Sequence, residues 1–134
     1  MTTVLCFGTF DRLHPGHEDY FRQAKDLGEC VDVIVARDET VLSVKGRRPR
    51  QSEQDRLAAV ASHPLVAKAR LGLPGDKYQV IEEVRPDIIL LGYDQQAFTD
   101  DLEKTLRERG LSCTVRRARA YKPEVYKSSL LNKS

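Results

Sequence analysis

The sequence predicts a single α/β domain over residues 1–134, in which a doubly wound, five-stranded and mainly parallel sheet has helices on both faces. Three observations predict this fold class. Short apolar runs alternate with stretches of helical periodicity along the chain. Glycines and polar side chains directly follow several of these runs, where parallel sheets bind their ligands. The length of 134 residues matches one domain.

The first strand and helix are predicted from a change of periodicity. Residues 4–7 are β-branched, aromatic or otherwise apolar, which predicts a buried strand. Gly8 then permits a sharp turn or a close approach of the backbone to a ligand. From His17 to Leu27 the apolar side chains share one helical face, and Gly28 can end the helix. The inward residues of this helix are Tyr20, Phe21, Ala24 and Leu27.

The second strand, over residues 31–36, follows after a short connection, and β-α-β units of this kind have parallel strands. Asp38 either caps a short helix over residues 39–44 or belongs to the ligand-binding edge, and the two roles are compatible. The remaining predicted elements are a helix from Ser52 to His63, a strand over 66–71, a short helix over 77–84, a strand over 88–91, a helix over 99–109 and a strand over 111–117.

Residues 88–91 are the most apolar run of the chain and predict a central parallel strand that is buried on both faces. Gly92, Tyr93 and Asp94 follow this strand directly, as Gly8 follows the first strand and Asp38 closely follows the second. Because parallel strands end at one edge of a sheet, these residues are candidates for a shared binding site. The strand over 111–117 alternates in polarity, which predicts an edge position.

Composition excludes several classes of protein. Apolar residues make up 40% and charged residues 31%, which is typical of a globular domain, and no apolar run approaches the roughly 20 residues of a membrane span. We therefore expect no membrane association. A net charge of +2 is too small to indicate a nucleic-acid partner. The three cysteines lie in or beside strand-like runs, which predicts reduced thiols and a cytoplasmic protein with no secretory signal.

Two histidines stand three residues apart where the first helix begins. Free backbone N–H groups at a glycine turn and a helix start bind phosphate, and His14 and His17 lie where that phosphate would be. A histidine at a helix start is more often a capping or packing residue. A metal pair is a further alternative, but zinc needs three or four ligands and only His63 remains.

Residues 45–50, here called the cationic segment, contain four cations in six positions. Such a run of charges is common both in solvated surface loops and in nucleic-acid-binding patches. Beside a triphosphate, a mobile segment of this charge can close over the phosphates. Arg56 lies one residue off the inner face of its helix, where it either reaches the site or is simply exposed. Ser128 and Ser129 either cap a terminal helix or bind phosphate oxygens.

Gly8-Thr9-Phe10-Asp11 and His14-Pro15-Gly16-His17 together resemble the His-x-Gly-His signature of the cytidylyltransferase-like nucleotidyltransferases. The resemblance covers nearly the whole chain and implies a Rossmann-like domain. It implies transfer of a nucleotidyl group from a nucleoside triphosphate to a phosphate monoester, with release of pyrophosphate, a requirement for Mg²⁺ and a homodimer. A second family signature, Ile-Ser-Ser/Thr-Thr, is matched only in part by Tyr126-Lys127-Ser128-Ser129.

Two small branches of this family are similar to the chain. Residues 36–41, 45–49, 53–56 and 86–95 look most like the archaeal-type FAD synthases, which adenylylate FMN. We therefore expect ATP and FMN as substrates, with the aromatic residues Tyr93, Phe98, Tyr121 and Tyr126 as a platform for the flavin. CTP with glycerol 3-phosphate, as in glycerol-3-phosphate cytidylyltransferase, is the alternative. A nucleotide-binding module without turnover is a third reading.

The resemblance also implies roles for individual residues. The predicted catalytic residues are His14, His17, Lys45 and Arg56. The predicted nucleotide-binding residues are Gly8, Thr9, Phe10, Asp11, His14, His17, Gly92, Asp94, Tyr121, Ser128 and Ser129. The predicted substrate-binding residues are Asp11, Asp38, Lys45, Arg47, Tyr93 and Asp94, of which Asp94 is also the predicted ligand of Mg²⁺.

Overall fold

The computed structural model describes residues 2–72, 77–92 and 102–119, and these residues form a parallel sheet with helices on both faces. The elements in chain order are β1 (Thr3–Gly8), α1 (Pro15–Leu27), β2 (Cys30–Val35), α2 (Asp38–Lys45), α3 (Glu53–Ala61), β3 (Lys68–Leu71), α4 (Lys77–Val84), β4 (Ile88–Leu91), α5 (Leu102–Glu108) and β5 (Thr114–Arg117).

The sheet has the strand order β3-β2-β1-β4-β5, and every pair of neighbouring strands is parallel. The chain builds outward from β1 to β3 on one side and then crosses to β4 and β5 on the other. The direction of winding therefore reverses between β1 and β4, which is where open α/β sheets bind ligands. The predicted interior position of β4 and edge position of β5 are confirmed, although β1 is the strand at the centre.

Two apolar cores cover the two faces of the sheet. On one face, the buried residues Tyr20, Phe21 and Ala24 of α1 pack with Val60 of α3 against alternate residues of β1 and β2. On the other face, Val80 and Ile81 of α4 pack with Leu102 and Leu106 of α5 against Leu5, Ile34, Ile89 and Leu91. This two-sided burial confirms the doubly wound class. The side chains alternate between faces because the period of a strand is two.

Two helix starts differ from the sequence prediction. The helix predicted from His17 begins at Pro15, because His14 forms the N-cap. Asp38 does not cap α2: the N-cap is Arg37, which makes no side-chain capping bond, and Asp38 is the first helical residue. Its carboxylate is instead bound by groups of α3. By contrast, the predicted cap Ser52 is confirmed, because its hydroxyl accepts from Asp55 N at 3.2 Å.

Within the described ranges, no helix is long and apolar enough to cross a membrane. All three cysteines are free thiols. Burial raises the pKa of Cys6 to about 12, so this thiol packs as a neutral core residue. The cytoplasmic location stays a prediction.

Candidate active site

The side chains of His14 and His17 cap the first turn of α1 through reciprocal hydrogen bonds. The backbone N–H of Gly16 donates to Nδ1 of His14 at 3.0 Å, and the backbone N–H of His14 donates to Nδ1 of His17 at 3.3 Å. The arrangement is a reciprocal capping box built from two imidazoles instead of a hydroxyl and a carboxylate. The rings stack with centroids 3.8 Å apart. Capping and ligand binding are thus not exclusive for these residues, because each role uses a different ring nitrogen.

The capping bonds determine where each imidazole carries its proton. Since Nδ1 accepts a hydrogen bond in both rings, the proton of the neutral ring is on Nε2. Neither Nε2 has a hydrogen-bond partner within the ranges that the structure describes. Two Nε2–H donors on stacked rings therefore remain available for an anion.

Both imidazoles are held neutral at physiological pH. Partial burial lowers the pKa of His14. Burial, followed by the positive charges of His14 and Lys45, lowers the pKa of His17 to about 4, although the nearby charge of Asp11 opposes the shift. At physiological pH both neutral rings therefore offer an Nε2–H donor.

The helix start itself is not an open anion site, which corrects the sequence prediction. The N–H of Gly16 is used by His14 Nδ1, and the N–H groups of His17 and Glu18 both donate to the carbonyl of His14, at 2.9 and 3.2 Å. Pro15 has no N–H. The backbone donors of Thr9 and Phe10, in the turn before the helix, have no partner in the described part of the chain. An anion bound beside this turn would contact the backbone N–H groups of Thr9 and Phe10 and the imidazoles of His14 and His17.

Gly8 is required by the side chain of Phe10. The ring of Phe10 is 3% exposed and packs edge-on to His17 with centroids 5.3 Å apart. A Cβ at Gly8 would lie 2.7 Å from this ring, so only glycine fits. Phe10 has a φ of 55°, which turns its backbone sharply after the strand. Because the Phe10 side chain is buried, only its backbone is placed to contact a ligand.

Asp11 connects the turn after β1 to the end of the cationic segment. Its Oδ1 and Oδ2 accept from the backbone N–H groups of Gln51 and Arg50 at 2.8 and 2.7 Å, while the N–H of Arg12 donates to Gln51 Oε1 at 2.8 Å. Burial alone would raise the pKa of Asp11, but these two bonds and the charges of Arg56 and Arg12 outweigh it and lower the pKa. Asp11 is therefore ionised and holds two loops together.

Arg56 lies beneath the site with no exposed surface. Its Nη1 donates to the carbonyls of Thr9 and Ala36 at 2.8 and 2.7 Å, and its Nε donates to the carbonyl of Gln51 at 3.1 Å. Its Nη2 forms an ion pair with Oδ1 of Asp38 at 2.8 Å. The guanidinium thus joins the loops that follow β1 and β2 and precede α3, and the predicted catalytic role of Arg56 stays a prediction.

The carboxylate of Asp38 belongs to the same hydrogen-bond network as Arg56. The bond from Arg56 is the main reason that its pKa is lowered, with the N–H of Glu53 contributing and burial opposing. Glu53 N donates to Asp38 Oδ2 at 3.3 Å, and Asp38 N donates to Glu53 Oε1 at 2.9 Å. Each carboxylate oxygen of Asp38 thus accepts from a protein donor, and its predicted substrate contact stays a prediction. The capping prediction had used its sequence position alone, which gave no sign of Arg56 and Glu53.

The cationic segment begins at the end of α2. Lys45 is the last residue of this helix and is exposed, and Gly46 ends it with a φ of 76°. Arg47 and Arg48 are exposed as well. The charge of Lys45 contributes to lowering the pKa of His17, and the charge of Arg48 contributes to lowering that of Asp38. The segment thus carries several exposed cations, of which Lys45 is close enough to His17 to affect its pKa.

Gly92 ends β4 on the same edge of the sheet, and its carbonyl accepts from Arg117 Nη1 at 2.9 Å. The predicted residues Tyr93, Phe98, Asp94, Tyr121, Tyr126, Ser128 and Ser129 lie outside the described residues. In the ranges that are described, no group of three or more histidine, cysteine or carboxylate side chains could hold a metal ion.

A family model described as cytidylyltransferase-like matches residues 5–133. The chain belongs to the cytidylyltransferase-like family. It is 43% identical over 121 residues to the FAD synthase of Aciduliprofundum boonei, covering 90% of this chain and 80% of that relative. It is 45% identical over 115 residues to the FAD synthase of Methanosarcina barkeri, covering 86% and 81%.

Among solved structures, this cytidylyltransferase-like chain is similar to the lipopolysaccharide core biosynthesis protein from Thermoplasma volcanium GSS1. The two share 38% identity and a TM-score of 0.87, over 91% of this chain and 99% of that one. The expected family and Rossmann-like fold are therefore confirmed. Gln51 and Glu53 are the site residues that the sequence did not reveal, since their partners Asp11, Arg12 and Asp38 are distant along the chain.

Proposed function

We propose that this protein transfers AMP from ATP to FMN, which yields FAD and pyrophosphate. The observation that carries the proposal is the pair of stacked, neutral imidazoles whose Nε2–H groups are both available beside the turn after β1. Relatives named FAD synthase, at 43% and 45% identity over most of the chain, support FMN as the acceptor.

In the proposed reaction a phosphate oxygen of FMN attacks the α-phosphorus of ATP. The bond from this phosphorus to the oxygen that bridges to the β-phosphate breaks, and pyrophosphate leaves with the electron pair. The FMN phosphate is already a nucleophile, so no general base is needed. Catalysis then consists of positioning and charge stabilisation. His14 and His17 would donate from Nε2 to the non-bridging oxygens of the α-phosphate, and the N–H groups of Thr9 and Phe10 would complete this cradle.

The exposed cations of the cationic segment have a role in the same scheme. We propose that Lys45 and Arg47 neutralise charge on the departing pyrophosphate, since flexible ammonium and guanidinium groups suit phosphate oxygens. Asp11 and Arg56 would act indirectly, because their bonds hold the turn after β1 and the end of the segment in place.

Mg²⁺ would enter with the triphosphate. This ion usually keeps several waters and binds through one or two carboxylates together with substrate phosphates. The carboxylates of Asp11 and Asp38 already accept protein hydrogen bonds on both oxygens, so neither is a preferred ligand. Asp94 remains the proposed ligand. We also propose a homodimer, a cytoplasmic location and no nucleic-acid or membrane partner, which all stay untested predictions.

The proposal is tested by incubating the purified protein with Mg²⁺, each of the four common nucleoside triphosphates, and either FMN or glycerol 3-phosphate. Pyrophosphate release and chromatographic detection of the product are measured. We expect FAD from ATP and FMN as the fastest reaction. A preference for CTP with glycerol 3-phosphate would overturn the acceptor but keep nucleotidyl transfer. Absence of pyrophosphate with every pair would overturn the transferase itself.

A further inference from the structure

Gln23 of α1 binds the backbone of Arg119, where the chain leaves the sheet after β5. The backbone N–H of Arg119 donates to Gln23 Oε1 at 2.8 Å, and Gln23 Nε2 donates back to the carbonyl of Arg119 at 3.0 Å. One side-chain amide thus binds both backbone groups of a residue that lies 96 positions later in the chain. The helix that carries His17 is thereby joined to the chain beyond the end of β5.

A carboxylate on the same helix orients this amide. Gln23 Nε2 also donates to Asp19 Oδ2 at 2.7 Å. The Asp19 carboxylate and the Arg119 carbonyl only accept, whereas the Arg119 N–H only donates. A single orientation of the Gln23 amide therefore serves all three groups.

The chain before Arg119 has already turned from the edge of the sheet toward α1. The N–H of Ala118 still donates to the carbonyl of Leu91 in β4 at 2.8 Å, and the Ala118 side chain is buried in the core beneath α1. Gln23 lies six residues after His17, which is about 9 Å along the axis of α1. The chain that continues from Arg119 therefore starts from the surface of α1, at the edge of the sheet where β4 and β5 end.

We propose that Gln23 is a positioning residue for ATP binding, whose amide fixes Arg119 on α1 and with it the point from which residues 120–134 continue. The inference rests on the proposed function and on the predicted contacts of Ser128 and Ser129 with the nucleotide. Gln23 itself touches neither substrate in this scheme. Its contribution is preorganisation, because a segment with a fixed starting point loses less conformational freedom when it binds a ligand.

Replacing Gln23 by Met keeps an unbranched side chain of similar length and removes both bonds to Arg119. Each hydrogen bond of this kind contributes a factor of about 5 to an equilibrium constant, so the loss of both lowers the population in which Arg119 is held on α1 by at most about 25-fold. The apparent affinity for ATP falls with the population that is competent to bind. We therefore expect the Kd and KM for ATP to rise roughly 5- to 25-fold. By contrast, kcat should change by less than about twofold, because saturating ATP restores the bound arrangement.

The matched control is Gln79→Met in α4, on the opposite face of the sheet. Gln79 Nε2 donates to Glu83 Oε2 at 3.3 Å, so the same substitution removes an amide–carboxylate bond between residues four positions apart, as it does between Gln23 and Asp19. Binding of ATP with Mg²⁺ is measured by calorimetry without FMN, together with kcat, KM, Tm and hydrogen exchange of the Arg119 amide. We expect weaker ATP binding and faster exchange in Gln23→Met alone. Equal Kd values for ATP in the two folded variants overturn the inference.

A double-mutant cycle tests whether Gln23 acts through the chain that follows Arg119. The Kd for ATP is measured for Gln23→Met in the parent protein and in a background that carries Ser128→Ala and Ser129→Ala. We expect the effect of Gln23→Met to be smaller in that background, because both sets of changes remove the same contribution to binding. An undiminished effect would show that Gln23 acts on ATP by another route and would overturn the inference.

Two readouts separate this inference from the proposed function. Formation of FAD by the parent protein tests the function, and binding of ATP without FMN tests the positioning role of Gln23. If the parent forms no FAD but only Gln23→Met weakens ATP binding, the function fails and the positioning stands. If the parent forms FAD and both variants bind ATP as the parent does, the positioning fails and the function stands. A parent protein that does not bind ATP overturns both.

Discussion

Arg56 offers the sharpest test of how the site is assembled. Replacing it by Met keeps an unbranched side chain in the space and removes the charge and every donor. Asp38 then loses its ion pair at 2.8 Å, and the carbonyls of Thr9, Ala36 and Gln51 lose their shared donor. The change thus disconnects the loops that follow β1 and β2 from the end of the cationic segment.

The magnitude follows from the burial of the pair. The Arg56 side chain has no exposed surface and that of Asp38 is 22% exposed, so the pair is closer to a buried than to a surface ion pair. Removing one partner of a buried pair costs about 3–5 kcal/mol of unfolding free energy. For a chain of this size the loss corresponds to a fall in Tm of roughly 10–20 °C. We expect kcat to fall as well, since the turn with Thr9 loses its anchor.

Urea and thermal unfolding measure the first effect, and pyrophosphate release measured well below Tm gives the second. The matched control is Arg70→Met, which breaks an ion pair with Glu83 at 2.9 Å in which both side chains are 41% exposed. A surface pair of this kind contributes about 1 kcal/mol or less. If Arg56→Met and Arg70→Met lose similar unfolding free energies, the assignment of Arg56 as the buried link between loops is refuted.

A double-mutant cycle isolates the ion pair from the carbonyl contacts. Asp38→Asn keeps the shape of the side chain and removes its charge, and it is measured alone and together with Arg56→Met. We expect the two changes to be clearly non-additive, because they remove the same interaction. Additive losses would mean that the guanidinium stabilises the fold only through the three carbonyls.

Three further predictions concern the histidines and the cationic segment. His17→Ala should cut kcat roughly 100-fold in a folded protein because a transition-state donor is lost. The control His63→Ala, outside the site, should leave kcat of the folded fraction unchanged. Equal kcat values in the two variants would contradict the role of His17. The free energy of unfolding should fall as pH drops from about 6.5 to about 4, because His17 becomes protonated in the unfolded chain at higher pH than in the folded protein, where its pKa is about 4. In His17→Asn the free energy of unfolding should depend less steeply on pH over this range. Residues 45–50 should be cut more slowly by trypsin with ATP than without it, and unchanged cleavage would argue against closure over the phosphates.

Much of the fold and of the site was predictable because the relevant signals are local. Strand and helix positions follow from hydrophobic periodicity over a few neighbouring residues, and all ten predicted elements have a counterpart in the described ranges. The two histidines and the glycine turn also belong to one short stretch, so the resemblance to the family could be stated from contiguous residues. The family model confirms the resemblance.

The tertiary structure decided what depends on residues far apart in the chain. The sequence left open whether Arg56 is exposed or reaches the site; in the fold its side chain is buried and donates to groups up to 47 positions away. Asp38 looked like a helix cap, but the charge of Arg56 binds its carboxylate. The hydroxyl of Tyr20 reaches Leu90, 70 positions later. Periodicity predicts on which face of a helix or strand a side chain lies. Its polar partner depends on which loops and strands the fold brings together.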